Sequence, residues 1–329
     1  MQRIDYSHLT PGVKSLTFGM RPKPPFRLDF TAWALRRRER NIVDLWDATT
    51  YQRVLEINSI PLRVAVRQVG SSEHPRLHVS VTGRQISRDA QNRVVSALVR
   101  ILGLRTDLTD FYALAARDRR LAPLVERFRG VKPPRFPTVF EGLVNAIACQ
   151  QLSLTVGIEL LNRLAIQCSP AIRTDGTTPF AFPRPEDLVR LTAQKLRQLG
   201  FSYSKASSLL DLSHSLVAGK IDLEELDAED DAQAIETLMK LRGVGRWTAE
   251  YVLLRGFGRT SVFPGDDVGA RNRLALWLGR DKPFDDYAGV QRAVRRWQPY
   301  AGLVYFHLLL AGLAESGEFV GDERLRLSA

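Results

Sequence analysis

Cysteine is scarce in this chain, with two residues in 329, Cys149 and Cys168. Both fall in segments read as helical, and their separation matches neither a disulfide framework nor a set of metal ligands. They are read as ordinary structural thiols in a reducing compartment, and a chain of this length needs no covalent staple to build its core. No uninterrupted apolar run approaches the ~20 residues that a membrane-spanning helix requires, so no integral membrane protein is expected. The opening MQRIDYSHLT carries charge without a following apolar stretch or a small-residue cleavage site, so no secretory signal is read there. A cytoplasmic, nucleoid-associated place is the expectation. Low complexity and a fixed repeat period are also lacking.

Positive charge, by contrast, is abundant: 47 Lys and Arg against 36 Asp and Glu leave a formal net charge of +11. Such a surplus favours polyanions through counterion release and makes nucleic acid the leading partner, although charge alone also suits a merely basic soluble protein. The motifs must decide between them.

Residues 1–130 are expected to form a small α+β domain. The runs 51–57, 62–69 and 77–83 alternate apolar and polar residues and are rich in valine, as antiparallel strands of a half-exposed sheet would be. A helix over 92–102 is predicted to lay Val94, Val95, Leu98 and Ile101 on that sheet. The adjacent prolines of Val131-Lys132-Pro133-Pro134 punctuate the chain, and a boundary is placed there. From 131 to 329 the pattern is helical. Phe136, Phe140, Leu143, Val144 and Ile147 recur at helical spacing, and further helices are expected over 155–166, 186–198 and 203–218. The fold class is therefore mainly α, with helical domains preceded by a small antiparallel sheet.

Residues 232–257 read as helix, tight turn and helix, with the turn at Leu241-Arg242-Gly243-Val244-Gly245 and the second helix beginning near Arg246. Two glycines two apart allow a positive φ and a close backbone approach, and the new helix offers free N–H groups at its positive end. Taken alone, this pattern serves equally as a plain helical hairpin or as a cradle for an anion such as phosphate. Farther on, Asp266 and Asp267 follow Pro264-Gly265 and precede VGARNRLALWL. The ordinary task of an aspartate there is to cap the helix, worth ~1 kcal/mol.

These motifs carry a resemblance. The stretch 241–251, LRGVGRWTAEY, resembles the helix-hairpin-helix of the base-excision DNA glycosylases (the HhH-GPD superfamily), and VFPGDDVGAR over 262–271 resembles their catalytic aspartate loop. Within the superfamily the chain looks most like the 3-methyladenine glycosylase II type, in which a small sheet domain also precedes the helices. The resemblance covers roughly 131–315. It implies that the hairpin residues Leu241, Arg242, Gly243, Val244, Gly245, Arg246 and Thr248 grip a DNA phosphate. Asp267 becomes the catalytic carboxylate, and Asp266 is left as a capping or loop-shaping neighbour. Breaking a glycosidic bond builds oxocarbenium charge on the sugar, which a buried anion stabilises while water quenches it. A cationic alkylated purine already leaves well, so a second acid is dispensable.

Strand-cutting members of the superfamily carry a lysine nucleophile at the place of Trp247, so a monofunctional enzyme is implied. Trp247 and Tyr251, one helical turn apart, would face an extruded base and favour a cationic one. Segment 140–153 resembles the family stretch bearing the residue that fills the gap left by base flipping, which assigns the wedge to Gln150 or Gln151, with Gln151 preferred. The four cysteines that hold an iron–sulfur cluster in some relatives are missing, so no metal and no cofactor are expected. Trp297, Pro299, Tyr300 and Tyr305 are candidates to close the cleft. Certain relatives place a tryptophan near the position of Leu308 and Leu309. The arginines at 36–40 and Arg295-Arg296 are read as solvated surface charge, available to phosphate. The expected partner is double-stranded DNA containing damaged bases, bound by a monomer. Two alternatives stay open: a glycosylase for an oxidised or deaminated base, and a noncatalytic helix-hairpin-helix DNA-binding protein.

Overall fold

The computed structural model describes residues 13–169 and 180–318. Five antiparallel strands form one sheet: β1 (Lys14–Met20), β2 (Leu45–Trp46), β3 (Thr50–Ile57), β4 (Ile60–Val69) and β5 (Arg76–Gly83), in the order β1-β5-β4-β3-β2. β3 and β4 pair Ile57 with Ile60 across Asn58 and Ser59. Both turn residues have positive φ, at 51° and 62°, which twists the hairpin in the sense its strands require. The expected strands correspond to β3, β4 and β5; β1 and β2 come in addition.

Helix α1 (Leu28–Arg36) connects β1 to β2, and α2 (Arg88–Ile101) follows β5. The α2 face of Val94, Leu98 and Ile101 packs on Leu62, Val64, Val79 and Val81, as the periodicity predicts, although the helix starts earlier because Ser87 caps it through the Ala90 N–H. Next come α3 (Thr109–Ala116) and α4 (Leu121–Arg127). The segment Val131–Pro134 is buried along its length rather than forming an exposed linker. Lys132 is 0% exposed, and its ammonium donates to the Thr106 carbonyl at 2.8 Å.

The remaining helices are α5 (Val139–Cys149), α6 (Leu154–Cys168), α7 (Pro185–Leu188), α8 (Ala193–Gln198), α9 (Tyr203–Val217), α10 (Asp231–Met239), α11 (Arg246–Val252), α12 (Val268–Trp277), α13 (Tyr287–Val294) and α14 (Ala301–Glu315). Thr138 caps α5, so Phe136 lies outside the helix its spacing suggests and instead joins Tyr251 and Ala146 in a small cluster. The single helix expected over 186–198 is two, because Thr192 caps a new start with its side chain on the Lys195 N–H.

Two cores organise the helices. One is built mainly from α5, α6, α9, α10 and α11. The other joins α12, α13 and α14 to α3, α4 and to Phe30 and Trp33 of α1. Chain on both sides of Val131–Pro134 thus shares the second core. Among the described residues no helix is long and apolar enough to cross a membrane, and none of their His, Cys, Asp and Glu side chains form a group of three that could hold a metal ion.

Candidate active site

A cavity of about 920 Å³ opens where the two helical cores meet. Its walls come from the chain after α1, the loop between α5 and α6, helix α11, the start of α12 and one face of α14. Trp247, Tyr251, Asp267, Gln150 and Gln151, named separately from the sequence, all line it.

The hairpin forms as predicted. Gly243 takes φ +77° between α10 and α11, and a Cβ there would come within 2.4 Å of the Ser208 hydroxyl, so both conformation and space require glycine. Gly245 has no such constraint: its φ is −97° as the N-cap of α11, and a Cβ would meet nothing within 4 Å. Arg242 and Arg246 are exposed, whereas Val244 and Thr248 are buried under the turn. After α11 the helix widens into a π turn over Leu253–Phe257, which packs Arg255, 1% exposed, beneath the cavity. Its guanidinium lies 5.6 Å from the centre of the Tyr251 ring and 5.1 Å from that of Phe136.

Asp267 caps α12, accepting from the Ala270 N–H on Oδ1 at 2.9 Å. Its other oxygen, Oδ2, accepts from Trp247 Nε1 at 3.2 Å and Tyr305 Oη at 3.3 Å. Capping and cavity-facing roles therefore belong to one residue. Of the two roles expected for Asp266, capping or loop-shaping, the first falls away: Asp266 is exposed and the cap hydrogen bond is made by Asp267. Tyr305 is buried, and that burial, reinforced by the nearby Asp267 carboxylate, holds its phenol well above the ordinary value. It remains a neutral donor to Asp267.

Two elements fix the aspartate loop in place. Glu250, buried on α11, accepts from the Gly265 N–H at 3.2 Å and from the Tyr287 hydroxyl of α13. Burial lifts its carboxyl to about 7. From the other side α14 approaches closely at Gly302, where a Cβ would lie 2.7 Å from the Val262 carbonyl. Of the cleft candidates on that side, Tyr305 reaches the cavity with Leu308 and Leu309. Trp297 does not: it is 1% exposed and donates to Asp118 at 2.8 Å. Tyr300 lines a separate hollow beside Trp297.

The two glutamines are differentiated. Gln150 ties the end of α5 to the hairpin, donating to the Gly243 carbonyl at 2.8 Å and to Thr248 Oγ1 at 2.9 Å. Gln151 is exposed and holds a positive φ of 55°. Next to it Leu152 leaves 42% of its surface exposed, an apolar tip on the same loop that its position in the sequence does not flag. Lys205 of α9 secures this loop by donating to the carbonyls of Ala148 and Gln150 at 2.9 and 2.7 Å. Cys149 also lines the cavity.

The largest departure concerns the arginines at 36–40. Arg40 is solvated as read, with its side chain 80% exposed, and Arg295 and Arg296 are exposed too. Arg37 is only 4% exposed. It ends α1 with a left-handed φ of 60°, which turns its side chain inward to donate to Tyr251 Oη at 2.9 Å and to Asn145 Oδ1 at 2.6 Å. Neither Arg37 nor Asn145 carries a local pattern that would single it out.

The family described as HhH-GPD superfamily base excision DNA repair protein matches residues 144–299. The DNA-3-methyladenine glycosylase of Bacillus subtilis is 26% identical over 228 residues, covering 69% of this chain and 75% of that protein. A protein described as a probable N-glycosylase/DNA lyase of Methanothermobacter thermautotrophicus is 28% identical over 280 residues, covering 78% of this chain and 85% of its own. Among solved structures, a 3-methyladenine DNA-glycosylase from Archaeoglobus fulgidus superposes with a TM-score of 0.78 at 24% identity, over 89% of this chain and 97% of that one. The family match runs through the α5–α6 loop, the hairpin and the aspartate loop, the three parts of the chain that meet at the cavity, and over these residues the chain is similar to the HhH-GPD superfamily base excision DNA repair proteins.

Proposed function

We propose that the protein is a monofunctional DNA glycosylase that hydrolyses the N-glycosidic bond of alkylated purines in double-stranded DNA, with Asp267 as its catalytic carboxylate. The observation that carries this reading is the division of labour within Asp267: Oδ1 is held by the helix it caps, while Oδ2 accepts from Trp247 and Tyr305, which line the same cavity. A carboxylate fixed in this way is ready before charge develops, which is the condition for electrostatic stabilisation of an oxocarbenium-like sugar.

The hairpin turn presents the first N–H groups of α11 to a backbone phosphate, and Arg242 and Arg246 flank it. The lesion is extruded into the cavity while Gln151, with Leu152 beside it, fills the stack. The C1′–N bond then breaks with its electron pair leaving on the base. Water adds to C1′ and passes a proton to Asp267, leaving an abasic site. The cavity is lined by no lysine among the described residues, and Trp247 stands where a lyase would need one, so no Schiff base forms.

The test is release of bases from methylated duplex DNA, identified by chromatography, with Asp267→Asn as control. Asparagine caps a helix as well as aspartate, so the start of α12 is kept, while the charge and the acceptor facing Trp247 and Tyr305 are removed. Base release is expected to fall about 10³-fold, the order lost with a preorganised electrostatic group, while DNA binding persists. Unaltered release by Asp267→Asn would remove the aspartate from the mechanism, and efficient borohydride trapping of the wild type on DNA would replace the monofunctional reading by a lyase.

A further inference from the structure

The loop that carries Asp267 is held from behind by side chains that stand outside the cavity lining. Glu250 of α11 and Tyr287 of α13 meet there. Glu250, 2% exposed, accepts from the Gly265 N–H with one carboxylate oxygen and from the Tyr287 hydroxyl with the other. Burial and the bond to Glu250 hold the Tyr287 phenol above its ordinary value, so it stays a donor. One turn along α13, Gln291 donates to the Phe263 carbonyl at 3.1 Å, which fixes the same loop at its entry.

The Tyr287 ring touches both the hairpin and the loop. Its centre lies 4.8 Å from the guanidinium of Arg246, which stands one turn before Glu250 on α11. A Cβ on Gly265 would come within 2.7 Å of the ring, so the backbone of the loop rests directly on it. Two residues later the turn closes, with the Asp267 N–H on the Pro264 carbonyl at 3.1 Å. Arg246, Tyr287, Glu250 and Gly265 thus form a continuous chain of contacts from the phosphate-facing hairpin to the aspartate.

We propose that Glu250 and Tyr287 are positioning residues for the hydrolysis: together they set the distance between the hairpin, which holds the DNA phosphate, and the loop that presents Asp267 to C1′. This rests on reading the protein as a glycosylase with Asp267 as its carboxylate. A gripped phosphate fixes the sugar, and a carboxylate displaced by about 1 Å loses on the order of 10²-fold in rate with binding intact. Placement matters all the more for a base that leaves without an acid, because stabilisation of the sugar then falls to Asp267.

The experiment measures Kd for a duplex containing 7-methylguanine and the single-turnover rate of base release from it at saturating protein, which separates binding from chemistry. Glu250→Ala is expected to slow release about 10- to 100-fold while Kd stays within about threefold. Tyr287→Phe keeps the ring against Arg246 and Gly265 and removes only the hydroxyl; it is expected to slow release about three- to tenfold, and it supplies the measurement if Glu250→Ala does not fold. Glu250→Gln, whose amide still accepts from Gly265 and donates to Tyr287 Oη, is expected to stay within about threefold of the wild type. Glu250→Ala combined with Tyr287→Phe should be no slower than Glu250→Ala alone, because the hydroxyl acts through the carboxylate. Unchanged release by Glu250→Ala and Tyr287→Phe, losses that come through Kd, losses that add in the double variant, or a Glu250→Gln as slow as Glu250→Ala would overturn the proposal while Asp267→Asn still lost release. A wild type that released no base would overturn the glycosylase reading beneath it.

Discussion

Arg53 and Arg37 are buried to nearly the same depth, 2% and 4% exposed, and are treated oppositely by the fold. Arg53, on β3 where the sheet meets the helices, pairs with Asp44 at 2.7 Å and with Glu141 of α5 at 2.6 Å, and Tyr51 closes the cluster by donating to Asp44 at 2.7 Å. Arg37, in the cavity, has only neutral acceptors. A buried charge cancelled by opposite charges within the protein is spent on holding two parts of the chain together. One satisfied by neutral acceptors keeps its field for whatever enters.

The sharpest way to break that comparison is to remove each cation in turn. Arg53→Met strands two buried carboxylates and is expected to cost about 3 to 5 kcal/mol of stability, read from the midpoint of urea unfolding. Arg37→Met leaves only neutral acceptors behind and should cost clearly less; equal costs would erase the distinction.

Glu250 extends the comparison to a buried carboxylate without a cation in its first contacts. Burial raises its carboxyl to about 7 from 4.5, Asp266 adds to this, and the hydrogen bonds from Tyr287 and Gly265 together with Arg246 oppose it. A raised pKa in the folded state means that the stability it confers is complete below the unfolded value and is lost as pH rises through about 7. Between pH 5 and 8 the wild type should therefore lose about 2 to 3 kcal/mol relative to Glu250→Gln, which does not titrate there. Parallel urea midpoints for the two proteins across that range would show instead that Glu250 is ionised throughout.

Lys205 should have the smallest effect, since its ammonium meets two carbonyls at the end of α5 and is only partly buried. Lys205→Met is expected to cost about 1 kcal/mol, measured in the same titration. A loss as large as that of Arg53→Met would place this cation with the structural cluster.

Much of the site is legible along the chain because it is local. The turn at Gly243, the aspartate twenty-four residues later and the aromatic pair one helical turn apart are short-range patterns, and each stands where the spacing predicts. Strand alternation locates β3, β4 and β5 for the same reason. The first strand is not read because KSLTFGM has a burial pattern of exposed and half-buried residues with none fully buried. Caps misplace other boundaries: Thr138 starts α5 after Phe136, and Thr192 divides the helix expected over 186–198.

From the sequence alone come the helical hairpin and the helix start at Asp266 and Asp267, because periodicity, turn chemistry and motif spacing are properties of neighbouring residues; the roles proposed for Asp267 and Trp247 come from the family resemblance those motifs carry. Which oxygen of Asp267 faces the cavity, which glutamine is tied down and which arginine of the 36–40 run is buried were decided by tertiary structure. The physical reason is burial itself: a left-handed turn at Arg37 carries one side chain of an arginine-rich run away from water, and only the elements packed around it, α5 with Asn145 and α11 with Tyr251, determine what that charge meets.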